Sequence, residues 1–444
     1  MSAATATLAV RSLRRRPAAV TATFVAALLG TVLMGSFATL VQTALSTDGD
    51  DRQLLVIMGA VVGGWSALIV LFSIASTVGI TATQRARETG LLRAVGATPR
   101  QALGLVLWET LAVTAVAAAL GAGTAAATGR RLLDALRDGG LVGDDTAFAG
   151  GPASLGAAAA AVVLVGLVAA WLAGRRATAG PVVRVLREQG SEMRRLPRWR
   201  VGVGVVLLGY GVGLAVVTTT VGRTSDDPHL AQETAGPAGI VVAVGLAVLA
   251  PWLLAVLAAP ARRLAGSSAA GHLAASNTTR RAPLLAGVLA PVVVLVATAS
   301  GTLLMVGVDG RTLDSAGDPA GMDETITLLN YVVAGMVCLF AAIMVVNAFA
   351  AVVAARRAEL HRLWLVGATR PQIRRAVVGE AAIVAAVGVV LGTLAAAATF
   401  VPYAVARGEG PLPDGQLWLL PAVAAGAAAV TLGSAWACAR RVVR

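Results

Sequence analysis

The sequence predicts an all-α polytopic membrane protein with about ten transmembrane helices. Of its 444 residues, 57% are hydrophobic and only 13% are charged, a composition too apolar for a soluble domain. Ten apolar runs reach the length of about 20 residues that a membrane-spanning helix needs. Arginines and acidic residues dominate alternate segments between these runs, as they do when each run crosses the bilayer. The runs are 18–45, 54–80, 104–128, 153–174, 201–221, 237–259, 284–307, 326–354, 377–403 and 417–438.

The charge pattern also predicts the orientation of the spans. Arginines crowd the segment before the first run and the segments after each even-numbered run, whereas acids such as Asp144 and Asp145 lie in the others. Cytoplasmic loops are enriched in basic residues, so both termini are predicted to be cytosolic. The basic N-terminus resembles a signal peptide, but the run 18–45 is too long for one and is predicted to be a retained span. Pro181 opens a short amphipathic helix, 181–188, predicted to lie on the inner membrane surface.

A stretch of the first half recurs near the C-terminus. When residues 85–109 are shifted by 271 positions they superpose without a gap on 356–380. Chance does not readily give so many matches of varied residue type in register, which indicates an internal duplication. The identical pairs include Arg85 and Arg356, Glu88 and Glu359, Gly96 and Gly367, Ala97 and Ala368, Thr98 and Thr369, Gln101 and Gln372, and Glu109 and Glu380.

The duplication predicts the domain organisation. Spans one to four and seven to ten form two parallel four-helix repeats, related by an axis along the membrane normal. Spans five and six link them. The predicted parts are residues 1–200, with a cytosolic elbow at 84–101; the linking pair at 201–260; and residues 261–444, with a second elbow at 356–372.

Each elbow has the local chemistry of a helix, a sharp turn and a second helix. Gly96 and Gly367 suit the left-handed position that ends a helix. Thr98 and Gln101 have capping-box spacing, as do the equivalent residues of the second copy. A rigid elbow of this kind is suited to passing force between two bodies. A plain connector between membrane spans would have the same signals.

Several kinds of chemistry are missing. The chain has no lysine, so it has no P-loop of its own, and it shows no hydrolase or metalloprotease motif. We therefore predict no catalytic residue, no metal and no cofactor. Nucleic-acid binding is not expected, because the arginines are dispersed between apolar runs. Glu109 and Glu380 are the only acids predicted near membrane depth, as proton-relay groups or as residues bonded at the inner interface.

The first elbow resembles a known family. RETGLLRAVGATPRQ, Arg87 to Gln101, is similar to the signature of FtsX-like permeases, the membrane subunits of type VII ABC transporters, which include bacitracin-resistance permeases. The segment Pro181 to Glu188 resembles the stretch after the fourth span in that family. The second copy departs from the signature, since His361 and Trp364 stand where the first has Gly90 and Arg93. The outer loops are also too short for the family's extracytoplasmic domain.

The resemblance implies an activity and partners. A separate ABC ATPase would push on the cytosolic elbows, with two ATPase copies served by one chain, in a bacterial cytoplasmic membrane. The substrate would be amphiphilic: a lipid, a lipoprotein or an antimicrobial peptide. Besides membrane lipid, no other partner is implied. The ATPase-coupling residues would be Arg85, Glu88, Gly96, Ala97, Thr98, Gln101, Arg356, Glu359, Gly367, Ala368, Thr369 and Gln372.

Two alternatives remain open at this point. A proton-coupled secondary transporter with parallel repeats would need ionisable groups near the midplane, and Glu109 and Glu380 are its candidates. A non-transporting membrane sensor or scaffold would bind an ATPase yet move no substrate.

Overall fold

Every regular element that the structure describes is a helix. The computed structural model describes residues 17–64, 86–178, 196–224, 228–264, 268–313, 356–413 and 415–442, with scattered residues in 67–79 and 335–353. Arg85 and the predicted surface helix at 181–188 lie outside these residues. In chain order the helices are α1 (Pro17–Ala44), α2 (Asp50–Val56) with a π-helical continuation (Ile57–Val62), α3 (Ala86–Ala94), α4 (Pro99–Asp138), α5 (Pro152–Thr178), α6 (Arg198–Val221), α7 (Pro228–Leu257), α8 (Ala261–Leu264), α9 (Ala269–Arg280), α10 (Ala282–Leu313), α11 (Ala341–Ala350), α12 (Arg357–Leu365), α13 (Arg370–Ala406) and α14 (Leu419–Val442).

Eight of the described helices are long and apolar enough to cross a membrane. They are α1, α4, α5, α6, α7, α10, α13 and α14, and each coincides with one of the predicted runs. The other two predicted runs, 54–80 and 326–354, fall where the structure describes the chain only in part. The second of these contains the shorter apolar helix α11.

The chain divides into two compact units, residues 1–190 and 191–444. In the first unit α1 packs along α4 and α5. In the second unit α10 packs along α13, and α14 packs on both. The linking pair α6 and α7 belongs to the second unit, where α7 contacts both α10 and α13.

Small residues bring the long helices close together. A Cβ added at Gly121 of α4 would lie 2.8 Å from the backbone oxygen of Leu28 in α1. A Cβ added at Gly392 of α13 would lie 2.5 Å from the Cβ of Val296 in α10. Side-chain-free positions of this kind let membrane helices approach and pack. Each unit is therefore built around one tightly packed helix pair.

Helix α4 is longer than its predicted span. The predicted run ends at residue 128, whereas the helix continues to Asp138. Leu133 and Leu136 are fully buried, so this end is an amphipathic helix whose apolar side packs on the unit. Arg137 also pairs with Asp134 at 2.9 Å, three residues before it.

The connection after α4 is short and well anchored. The Asp51 carboxylate accepts hydrogen bonds from the Gly143 N–H (2.9 Å) and the Thr146 hydroxyl (2.7 Å). The Gln42 side-chain oxygen accepts from the backbone N–H groups of Gly151 (3.0 Å) and Ser154 (3.1 Å). The Gln42 bonds satisfy otherwise orphaned N–H groups at the start of α5. Together the Gln42 and Asp51 bonds fix the loop on the ends of α1 and α2.

Candidate functional site

The two elbows have the same backbone turn. In the first, the Ala97 N–H donates to the Leu92 carbonyl (2.9 Å) and the Gly96 N–H donates to the Arg93 carbonyl (3.1 Å). This pair of bonds is the Schellman motif that closes a helix, and it needs a left-handed residue at the glycine. Gly96 has φ +109° and Gly367, its equivalent, has φ +104°. The predicted glycine stops are confirmed in both copies.

Both predicted capping boxes are also present. The Thr98 side chain accepts from the Gln101 N–H (3.3 Å), and the Thr98 N–H donates to the Gln101 side-chain oxygen (2.9 Å). Thr369 and Gln372 make the same two bonds, at 3.4 and 2.8 Å. A capping box satisfies two orphan donors and fixes where the second helix begins. Hydrogen bonds therefore fix both the end of the first helix and the start of the second, which makes each elbow rigid.

The tip of each elbow exposes apolar side chains. Val95 is 91% exposed and Val366, its equivalent, is 88% exposed. Leu91 and Leu365 beside them are at least half exposed. Large apolar side chains gathered at one exposed point mark an interaction site. Sequence reasoning placed these residues on the elbows but did not select them, because their exposure depends on where the turn points.

Behind the second elbow lies a buried ionic cluster of Asn277, Arg281, Arg356, Glu359 and Glu380. Glu380 of α13 is 2% exposed, and Arg356, just before α12, is 5% exposed. The two guanidinium nitrogens of Arg356 donate to the two carboxylate oxygens of Glu380, and the Nη2–Oε1 distance is 3.0 Å. The Asn277 amide donates to Glu380 Oε1 at 2.8 Å. Both carboxylate oxygens of Glu380 are therefore engaged, about ten residues after the start of α13.

Glu359 joins this cluster to a further helix. Arg281, between α9 and α10, donates to both Glu359 carboxylate oxygens, with an Nη2–Oε1 distance of 2.6 Å. Arg356 Nε lies 3.6 Å from Glu359 Oε2. The five side chains consequently tie the short elbow helix α12 to α9, to the start of α10 and to α13.

The charges in the cluster stabilise one another. Burial by itself would raise the pKa of the Glu359 carboxyl, but the hydrogen bond from Arg281 and the charges of Arg356 and Arg281 outweigh burial. The net effect is a pKa below the ordinary 4.5. Burial would likewise lower the pKa of Arg356, but the Glu380 charge and hydrogen bond, followed by those of Glu359, raise it. Both groups are held in their charged forms at neutral pH.

These contacts place the predicted site residues in two groups. Gly96, Thr98 and Gln101, with their three equivalents, are exposed on the elbow turns, and Ala97 and Ala368 are half-buried there. Arg356 and Glu359 instead bond inside the unit, where the Arg356 side chain is 6% exposed and that of Glu359 is 33% exposed. In the first copy Glu109 is 3% exposed, Glu88 lies in α3, and Arg85 lies outside the described residues.

The structure also places an acid that sequence reasoning missed. Asp309, predicted to lie in an outer loop, is in α10 and is 7% exposed. The Tyr403 hydroxyl donates to its carboxylate, and Arg407 Nη2 lies 3.1 Å from Asp309 Oδ1. Asp309 therefore joins Glu109 and Glu380 as a buried acid of a long apolar helix. The available signal was the run of apolar residues from Leu303 to Val306, which ends only three residues before Asp309.

Within the residues that the structure describes, no group of three or more His, Cys, Asp or Glu side chains could hold a metal ion.

A family model described as FtsX-like permease C-terminal matches residues 60–182 and 331–444, together more than half of the chain. Each matched region contains one elbow. Comparison with curated proteins finds no match.

Proposed function

Because the chain belongs to the FtsX-like permease family, we propose that it is the membrane-spanning subunit of an ABC transporter whose ATP is hydrolysed by a separate ATPase. It would cross a bacterial cytoplasmic membrane ten times, with both termini in the cytosol and with two parallel four-helix repeats. The alternating arginines support this topology. The protein itself would be no enzyme.

The observation that carries the coupling proposal is the construction of the elbows. Each ends in an exposed apolar tip on a turn closed by a Schellman motif and a capping box. A partner that grips Val95 or Val366 would meet a rigid element. Force on such an element is passed on as displacement and is little absorbed by local bending.

The ionic cluster extends this argument from the turn to the spans. Arg356 and Glu359 flank the start of α12 and bond to Glu380 and Arg281 respectively. A movement of α12 would therefore carry α13 and the start of α10 with it. We propose that ATPase closure moves these helices of the second repeat as one body.

The test is copurification with the ABC ATPase encoded beside this chain. We expect the wild-type chain to retain an ATPase that hydrolyses ATP, and the Val95→Asp plus Val366→Asp variant to retain none. Leu45→Asp is the matched control, because Leu45 is 72% exposed at the end of α1 far from the elbow. If no ATPase binds the wild type, or if the tip variant binds as well as the control, the proposal fails.

The proposed substrate is an amphiphile that is exported or extracted from the membrane: a lipid, a lipoprotein or an antimicrobial peptide. Family membership supports this substrate class. Growth of cells carrying the wild type or the double tip variant should be compared in the presence of a membrane-active cationic peptide. Equal inhibition of the two strains would remove antimicrobial-peptide resistance from the proposal.

The secondary-transporter alternative has less support from the structure. A proton carrier must exchange its proton with water or with another relay group. Glu380 is almost fully buried and is bonded to Arg356 and Asn277. Both carboxylate oxygens of Glu380 are already engaged by these two side chains, which suits a fixed structural contact.

A further inference from the structure

An apolar groove runs between α4 and α5 on the elbow side of the first unit. The two antiparallel helices touch closely at two levels. A Cβ added at Gly174 would lie 2.5 Å from Leu103 Cδ1, and one added at Gly166 would lie 3.2 Å from Thr114 Cγ2. Between these levels the helices leave a cavity of about 460 Å³. Its lining consists of Leu107, Trp108, Leu111, Leu167, Val168 and Trp171.

The groove opens outward, away from the packed interior of the unit. Trp108 is 45% exposed, Val168 is 47% exposed and Trp171 is 39% exposed. Trp108 stands nine residues after the first residue of α4, about 14 Å along the helix. Tryptophan at this depth is typical of the boundary between headgroups and hydrocarbon. The groove therefore faces the membrane close to its elbow-side surface.

Two arginines stand at the elbow end of the groove. The Arg175 guanidinium lies 4.7 Å from the centroid of the Trp171 ring, one turn further along α5. Arg100 is exposed on α4, two turns before Leu107 and on the same side of the helix. At Gly104, between Arg100 and the groove, an added Cβ would meet no atom within 4 Å. The groove thus has a cationic mouth and an apolar body.

The second repeat has a similar arginine–tryptophan stack, but the residue at the position of Trp108 is different. Arg440 lies 4.5 Å from the Trp436 ring, so the arginine–tryptophan stack occurs at the end of both α5 and α14. The position equivalent to Trp108 is Gly379, where an added Cβ would lie 2.9 Å from the Ala274 Cβ of α9. Helix α9 therefore covers this surface in the second unit, whereas Trp108 is 45% exposed in the first, where the residues that precede α1 lie outside the described part of the chain. The arginine–tryptophan stack is therefore common to both repeats, whereas the tryptophan that lines the groove at position 108 is not.

We propose that the groove binds one anionic phospholipid from the leaflet on the elbow side. Its phosphate would lie between Arg100 and Arg175, and one acyl chain would lie along Trp108 and Trp171. An acyl chain needs no hydrogen-bond partner, and none of the six lining side chains is charged. A peptide would bring backbone groups that an apolar wall leaves unsatisfied.

The cationic mouth selects the headgroup. Guanidinium groups bind phosphate oxygens in bidentate geometry, and a lipid with net negative charge is attracted by both arginines. Each basic side chain near a membrane surface favours anionic over neutral lipid by about fivefold. The chain alone forms this site, so lipid binding is measured without an ATPase and its outcome is independent of elbow coupling.

Native mass spectrometry of the purified full-length chain tests the site, with equimolar phosphatidylglycerol and phosphatidylcholine of different mass. The main variant is Gly104→Leu, which places a side chain in open space at the mouth and improves helix propensity. Gly123→Leu is its matched control, since Gly123 also has no neighbour within 4 Å but lies far along the same helix. Arg100→Gln with Arg175→Gln tests the charges, and Arg440→Gln is the control for that pair.

We expect the wild type and both controls to retain one phosphatidylglycerol in preference to phosphatidylcholine. Gly104→Leu and the double arginine variant should each lower that retention at least about fivefold. Equal retention by Gly104→Leu and Gly123→Leu would overturn the site. Retention of the two lipids in equal amounts by the wild type would overturn the selection of anionic lipid.

Discussion

Arg356 and Glu380 show how a single buried pair defines the second elbow. Both side chains are almost completely removed from solvent, and each presents two polar atoms to the other. Desolvation of two charges is expensive, so such a pair adds little net stability compared with an apolar pair. Removal of one partner is costly because it leaves the other charge buried alone. The pair therefore fixes the position of α12 against α13.

Glu380→Gln should destabilise the second unit. The neutral amide leaves the Arg356 charge with only the more distant and partly exposed Glu359 (3.6 Å), so the free energy of unfolding should fall by up to about 3–5 kcal/mol. Thermal unfolding of the purified chain in detergent measures the loss. Glu409→Gln, which removes the partner of the more exposed Arg311, should cost less. If Glu380→Gln lowers the free energy of unfolding no more than Glu409→Gln does, the Arg356–Glu380 pair does not fix α12 against α13.

The stability that Glu359 contributes should depend on pH. The lowered pKa of Glu359 means that its contribution to stability is complete above the ordinary value of 4.5 and is lost as pH falls through the lower folded-state value. The difference in unfolding temperature between wild type and Glu359→Gln should therefore be constant from pH 8 to about pH 5 and should shrink below about pH 4.5. A difference that grows on acidification would contradict the assigned charge state.

At the scale of elements, the elbows were predictable from sequence and the cluster behind them was not. Glycine stops and capping boxes are local signals, and Gly96, Gly367, Thr98 and Thr369 occupy the positions that those signals require. The bond between Arg356 and Glu380 depends on α12 folding back along α13. The repeated spacing of 24 residues between arginine and glutamate was visible in both copies, but without the fold it has no physical meaning.

Substitution of the two elbow glycines by alanine tests whether the turns need a left-handed residue. Gly96→Ala and Gly367→Ala place a Cβ on a left-handed residue, which costs about 1–2 kcal/mol at each position. No atom lies within 4 Å of either added Cβ, so the cost is one of backbone conformation alone. Thermal unfolding should show a loss for each variant. Gly426→Ala, in the helical interior of α14 and equally open, should be neutral or stabilising.

For the whole molecule, hydropathy predicted the long apolar helices and the elbow motif predicted the family, but neither predicted how the helices pack. All eight helices that the structure shows to be long and apolar enough to cross a membrane coincide with predicted runs. The linking pair α6 and α7 packs on α10 and α13 of the second unit, which no pattern in the sequence indicated. Two helices also extend beyond their predicted runs, α4 to Asp138 and α10 to Leu313, because their ends lack the continuous apolar signal of a span.

We propose that one chain has two separate ATPase docking points, one at each elbow. The mass of the purified complex with the ABC ATPase tests this, measured for the wild type, Val95→Asp and Val366→Asp. We predict two ATPases per chain in the wild type and one in each single variant, because each exposed tip would serve one ATPase. A single variant that keeps both ATPases, or loses both, would contradict independent docking at the two elbows.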